Sequence, residues 1–170
     1  MVRMNGQGAF IIEPVDSLCA DARGLTTGDV NGDGSLDIVV ACFGSSDVFW
    51  YDSTAGWAKN ILATGVADVI DVSTADINGD GLLDALVVVR GTDTIAWYKQ
   101  DGVGSFTPQT ITTQWDPRFA LAVDMDQDGD LDIVTAAKAG NLIMIALNEC
   151  CDAQELGETA GQTLTDPPPS

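Results

Sequence analysis

The residues of this chain best suited to chemistry are oxygen donors in three matching clusters. Asp29, Asn31, Asp33 and Asp37 stand in "DVNGDGSLDI", Asp76, Asn78, Asp80 and Asp84 in "DINGDGLLDA", and Asp124, Asp126, Asp128 and Asp132 in "DMDQDGDLDI". In each cluster the oxygens fall at positions one, three, five and nine, and a glycine, Gly34, Gly81 or Gly129, stands at position six. Packed carboxylates repel one another unless water or a cation separates them. Hard oxygen donors at this density suit Ca²⁺, and the glycine allows the sharp turn. Position seven adds a fifth ligand: the Ser35 carbonyl in the first loop, with Leu82 and Asp130 at the same place in the others. The expected chemistry is the holding of up to three structural calcium ions. An EF-hand begins in the same way but needs a Glu at position twelve and a helix on either side. Position twelve here is Val40, Val87 and Thr135. A lone Asp-Gly or Asn-Gly dipeptide marks an ordinary hairpin turn, but three nine-residue matches in phase with a strand pattern argue against turn chemistry alone.

The clusters recur after 47 and then 48 residues, the length of a small β-sheet unit. Each is followed by a short apolar run, "LDIVVACF", "LDALVVVR" or "LDIVTAAK", that reads as a buried strand. A polar turn and a second strand come next, "DVFWYD", "TIAWYKQ" and "NLIMIALN". A third strand follows in the first two units, "WAKNILAT" and "FTPQTITT", and one more precedes each loop. Four short strands per unit predict propeller-type blades in an all-β protein. The units span residues 18–66, 67–114 and 115–150, with a separate amino-terminal strand in 1–17 and an extended Pro- and Thr-bearing tail in 151–170. The third unit lacks its fourth strand. "GAFIIEPVDS" at the front is the expected replacement, completing the third blade within the chain or in a neighbouring subunit. Phe10, Ile11 and Ile12 are therefore interface candidates. Three blades are too few for an ordinary closed propeller, so pairing between copies, as a closed ring or a fibre, is the expected assembly.

An excess of 26 acidic over 7 basic residues gives net charge −19. Such a surface repels phosphates, so nucleic acid and anionic membrane are poor partners. No apolar run reaches the roughly 20 residues that span a bilayer, so membrane insertion is not expected. "MVRMNGQGAFII" lacks the apolar stretch of a secretory signal, which leaves a mature or excised segment, or a cytosolic chain. The sequence has no histidine, which removes Ser-His-Asp and Cys-His arrangements within one chain.

The pattern D-x-[DN]-x-D-G-x-x-D before an apolar strand resembles the FG-GAP or VCBS repeat, the calcium-loop propeller blade also found in integrin α-chains. The resemblance covers roughly Phe10 to Asn148. It implies that each loop joins the first and second strands of a blade, that its ion is structural, and that the module is extracellular or on a cell surface. It further implies a use in adhesion, carbohydrate binding or protein association. Two features depart from the family: there are three repeats only, and "CFGSSD" is the nearest relic of the Phe-Gly…Gly-Ala-Pro signature. No ligand site carries over. Extracellular calcium modules bind with Kd of about 10⁻⁴ to 10⁻³ M, so sites of that kind stand empty at cytosolic calcium levels.

Cys19, Cys42, Cys150 and Cys151 allow three complete disulfide pairings, and sequence does not choose among them. A bond from Cys19 or Cys42 to the Cys150-Cys151 pair would staple the ends of the chain. The Trp50-Tyr51 and Trp97-Tyr98 pairs suit packing between blades better than stacking on sugars. Arg23 and Arg118, at equivalent places, suit pairing with nearby carboxylates. Fifteen acidic residues lie outside the loops, and nothing in their spacing nominates a glycosidase pair. The sequence thus reads as a non-enzymatic extracellular β-repeat protein that partners other copies of itself. A lectin-like glycan-binding propeller module is the alternative, with glycans or cell-surface proteins as ligands, and a glycan hydrolase is the remote third.

Overall fold

Every apolar run that follows an acidic loop forms the second strand of an antiparallel sheet. The computed structural model describes residues 3–4, 10–113 and 116–148. Sheet 1 holds β3 (Ala22–Gly28), β4 (Asp37–Cys42), β5 (Asp47–Asp52) and β6 (Ala58–Ala63) in that order. Sheet 2 repeats it with β7 (Val69–Ala75), β8 (Asp84–Val89), β9 (Thr94–Gly102) and β10 (Ser105–Thr113). Sheet 3 has β11 (Pro117–Val123), β12 (Asp132–Ala137) and β13 (Leu142–Ala146). The described helical content is one 3₁₀ turn, Arg90–Thr92. No helix among the described residues is long and apolar enough to cross a membrane.

The sheets pack face to face in chain order. β7 lies against β3 and β4 on one side and β11 on the other. Alternation along a strand sends neighbouring side chains to opposite faces, so sheet 2 supplies two cores. Its Val69, Val72, Ala85, Val87 and Val89 meet Val39, Ala41, Val48 and Trp50 of sheet 1. Its Leu86, Val88 and Ile95 meet Ala120 and Ile133 of sheet 3. All six residues of β8 are buried, which explains its unbroken apolar run after Asp84. The first interface is close at Gly24: a Cβ there would fall on the Asp71 Cα and within 2.7 Å of the Val72 nitrogen. Trp50, Trp97 and Tyr98 pack between sheets as the sequence predicts, Trp50 buried and the other two half-buried against the two cores, whereas Tyr51 is buried on the opposite face of sheet 1, against Val40 and Cys42.

Within one chain, the amino-terminal segment lies elsewhere than at the edge of sheet 3. Within the described residues, sheet 3 keeps three strands, while β2 (Phe10–Ile11) pairs with β1 (Arg3–Met4). Ile12 is 87% exposed. Beyond it the chain crosses the outer face of sheet 1, where Val15 and Cys19 cover Val40, Cys42 and Tyr51. Cys19 is bonded to Cys42 with a Cα separation of 5.3 Å, so neither is free to staple the chain ends together. Cys150 and Cys151 lie outside the described residues, as does the tail. Alternation in "GAFIIEPVDS" indicates extended chain but not which surface receives it, and here the disulfide and one carboxylate fix the destination.

That carboxylate is Asp16. It accepts from the Tyr51 hydroxyl at 2.5 Å, from Lys59 Nζ at 2.9 Å and from the Leu18 N–H at 2.8 Å. The Tyr51 and Lys59 bonds, ahead of the backbone one, hold the Asp16 carboxyl far below its ordinary value of 3.8. Burial first, then the Asp16 bond, push the Tyr51 phenol up. A depressed carboxyl contributes stability above its unfolded value and loses it as pH falls toward its folded value. The difference in urea midpoint between the native chain and Asp16→Asn is therefore expected to stay constant from about pH 8 to pH 5. Below 3.8 it should narrow, because the carboxyl of the unfolded chain takes up a proton that the folded one does not. A difference that does not change down to about pH 2.5 would rule out the strap as a charged anchor.

Candidate metal centres in the acidic loops

Each acidic loop joins the first and second strands of its sheet and is built by its own side-chain oxygens. In the first, Asp29 takes the Asp33 N–H on Oδ1 (3.0 Å) and the Gly34 N–H on Oδ2 (2.8 Å). Asn31 Oδ1 accepts from the same Asp33 nitrogen at 3.0 Å, while its amide donates to Asp33 Oδ2. Asp76, Asn78, Asp80 and Gly81 repeat this arrangement. Oxygens from positions one and three are thus drawn to one N–H. The position-seven N–H of Ser35, Leu82 or Asp130 donates to the position-five carboxylate in every loop. Gly34, Gly81 and Gly129 have φ of +85°, +84° and +102°, a region that favours glycine.

The third loop differs in two ways. Position four is Gln127, held at φ +66° where the others have Gly32 and Gly79, and its N–H reaches Asp124 Oδ1 at 2.7 Å. Position three is Asp126, so Asp124, Asp126 and Asp128 present carboxylate oxygens all within 4.8 Å of one another. Partial desolvation first, then repulsion from Asp128, Asp132 and Asp124, pushes the Asp126 carboxyl up. Repelling oxygens at this spacing fit a hard cation, and an all-oxygen donor set is what Ca²⁺ takes. In the first two loops Asn supplies a neutral oxygen instead. There Thr54 Oγ1 donates to Asp33 at 2.8 Å and, with the Ser35 N–H, holds its carboxyl down. The Leu82 N–H, the Asn78 amide and Lys99, 3.9 Å away, do the same for Asp80. Thr54 and Lys99 come from the turn or strand beyond, too far along the chain for motif spacing to reveal them.

Position nine has a different part. Asp37, Asp84 and Asp132 are buried, at 0%, 0% and 1% exposure. One oxygen of each accepts an N–H from position two of its own loop: Val30 at 3.2 Å, Ile77 at 3.1 Å, Met125 at 2.9 Å. The other accepts an N–H sixteen residues on: Ser53 at 3.0 Å, Gln100 at 2.7 Å, Asn148 at 2.8 Å. These carboxylates bolt the loop to the far end of the third strand, and each oxygen keeps further acceptor capacity. Burial pushes Asp84 up, whereas for Asp132 the N–H bonds from Asn148 and Met125 outweigh burial and hold it down. Gln100, itself buried, extends the link between sheets by donating to the Val30 carbonyl of the first loop at 3.0 Å. Arg23 and Arg118 pair with Asp21 and Asp116, as their spacing suggests.

What the fold and loops define is a β-sheet repeat protein carrying an oxygen-lined turn at the same place in every sheet. The chain belongs to the FG-GAP-like repeat family, whose model matches residues 29–87 and again residues 76–135. A comparison with curated proteins finds no match.

The division of labour between positions is open to mutation. Asp37→Asn puts an amide where two backbone N–H groups need oxygens, and is expected to cost about 2–3 kcal/mol in urea unfolding, in calcium or in chelator. Asp33→Asn, on the exposed side of the same loop, should leave stability in chelator nearly unchanged and reduce only the gain on adding calcium. Equal losses for both variants in chelator would refute the distinction.

Proposed function

We propose that this chain is a non-enzymatic, calcium-stabilised β-repeat module that acts outside the cell or at its surface and associates with copies of itself in a structural or adhesive assembly. One observation carries the reading: three oxygen-lined loops recur at one turn of the repeat, and in the third the carboxylates lie within 4.8 Å of each other, with no ion pair to them among the described residues. Asp29, Asn31 and Asp33, Asp76, Asn78 and Asp80, and Asp124, Asp126 and Asp128 would hold the ions. The position-nine aspartates, whose oxygens keep further acceptor capacity, and the position-seven carbonyls would complete the shell. A bound ion would neutralise the loop and fix it against its sheet, a structural role. Loops with the weak affinity usual for extracellular modules would be filled only where calcium is millimolar, which is what supports a place outside the cell. Self-association is supported by sheet 3, which among the described residues has one strand fewer than its neighbours and presents large apolar side chains to solvent.

A second reading, a glycan-binding module, is favoured by a cleft of about 200 Å³ between sheets 2 and 3. Trp97 forms an apolar wall there, and Asn78, Asp130 and Asn148 line the rim. Glycan binding lost on Trp97→Ala, in a protein that stays monomeric, would favour it over assembly.

The calcium reading is tested by thermal unfolding of the intact chain in about 2 mM calcium and in excess chelator. If calcium exceeds Kd about tenfold, each site contributes about 1.4 kcal/mol and three contribute about 4 kcal/mol. A rise in Tm of 10 °C or more is expected at this size, since 1 kcal/mol is worth about 2–4 °C or somewhat more. An identical Tm in calcium and chelator would leave the loops as turns and overturn the proposal.

A further inference from the structure

We propose that the outward face of sheet 3 is a docking surface for a second copy of this chain, met through the same face to form a closed twofold pair. The inference rests on the self-association reading above and names its surface. Three sheets in a row leave two terminal faces, and the two are treated differently. The free face of sheet 1 is covered by Val15 and Cys19 and locked by the Cys19–Cys42 bond. The free face of sheet 3 has no such cover among the described residues.

Repeat equivalence shows what kind of face it is. Four residues after the buried aspartate stand Ala41, Val88 and Ala136, paired across the sheet with Val48, Ile95 and Ile143. Val48 and Ile95 are 0% exposed, sealed under the next sheet, and Ile143 is 81% exposed. Val39–Trp50, Leu86–Trp97 and Val134–Ile145 form the next pair along, and Ile145 is 49% exposed. The position that packs between sheets elsewhere is thus turned to water here.

The inner strand then separates a second copy from a further sheet of the same array. Five and three residues before each loop, sheet 1 has Gly24 and Thr26, sheet 2 has Asp71 and Ser73, and sheet 3 has Phe119 and Leu121. The small Gly24 is what allows backbone contact with Asp71, and Ser73 is spent on a bond to the Ala120 carbonyl. Phe119, 48% exposed, blocks that close approach and adds apolar area instead. The resulting rows are Leu121–Val134–Ile145 and Phe119–Ala136–Ile143, six uncharged residues on a chain of net charge −19. A flat apolar face of this kind suits another sheet stacked about 10 Å away. Head-to-tail docking has no receptor, because the opposite terminal face is strapped. The matching surface that remains is the same face of another copy, and an isologous contact stops at two.

The face is about 14 by 17 Å, from three strands about 4.8 Å apart and five residues of about 3.3 Å each. That is under a third of the roughly 800 Å² per partner of a standard interface, so a weak dimer, populated at the upper end of the concentrations below, is expected. The test is sedimentation velocity of the full chain from about 1 to about 300 µM in about 2 mM calcium. A monomer–dimer equilibrium without larger species is expected. Ile143→Glu should weaken it at least tenfold, with the unfolding midpoint unchanged because the side chain is exposed. Ile61→Glu, at a position 60% exposed on sheet 1, should leave it unaltered. A dimer indifferent to Ile143→Glu, or a ladder of larger species, would overturn this surface while leaving self-association standing. A monomer at every concentration would overturn both. Dimers appearing only after removal of residues 151–170 would show that the chain's own tail takes the face, and would also overturn the proposal.

Discussion

The structure depends on a buried carboxylate used three times. Asp37, Asp84 and Asp132 sit where water does not reach, and a charge in such a place is tolerated only when its oxygens are satisfied. Among the described residues no Lys or Arg forms an ion pair with them; backbone N–H groups do the work, one from the loop before and one from the end of the third strand. Each aspartate therefore closes a ring that includes the acidic loop, the second strand, the hairpin and the third strand. Because the two donors stand at fixed distances along the chain in all three sheets, the loop is set at one height relative to each sheet. The spacing that looks like a ligand pattern is in the same measure a folding pattern.

With position nine anchored inside, positions one, three and five hang outside, and their crowding becomes an electrostatic problem. The first two loops moderate it with Asn31 and Asn78, whose amides donate to the neighbouring aspartates, and with Thr54 from the adjoining turn or Lys99 from β9. The third loop has Asp126 in place of the amide, and desolvation first, then repulsion from the neighbouring aspartates, drives that carboxyl up. The same fold thus carries three loops of unequal charge. The third has most to gain from a cation and is least comfortable without one.

Much of this was legible in the residues. The 47- and 48-residue period, the glycine at position six and the apolar runs mark three sheets and their loops, because turn chemistry and alternation are local. The strap was not legible. "GAFIIEPVDS" carries the alternation of a strand, and the missing fourth strand of sheet 3 made that edge its natural partner; what decides otherwise is Cys19 meeting Cys42 and Asp16 meeting Tyr51 and Lys59. Those contacts join residues 23 to 43 apart, beyond any periodicity. The burial of position nine was hidden for a related reason: a motif counts oxygens and is silent on which of them face inward. Gln100 gave no signal at all, since its bond to Val30 spans two sheets.

The two ends of the array and its loops belong to one balance. A row of repeats must finish somewhere, and its terminal faces need cover or a polar surface. At one end this chain uses a disulfide and an aspartate anchor; at the other it leaves Ile143 and Phe119 in water. Bringing two copies together at that open face sets net charge −19 against −19. Charges within a Debye length, about 8–10 Å in ordinary salt, then act against the apolar gain. Eleven of the 26 acidic residues lie in the loops, five of them in the loop of sheet 3 itself. If that loop holds an ion and that face pairs, the ion would lower the repulsion between the two copies, and loop occupancy and pairing would reinforce each other. By linkage, whatever calcium adds to pairing, pairing must return to calcium affinity.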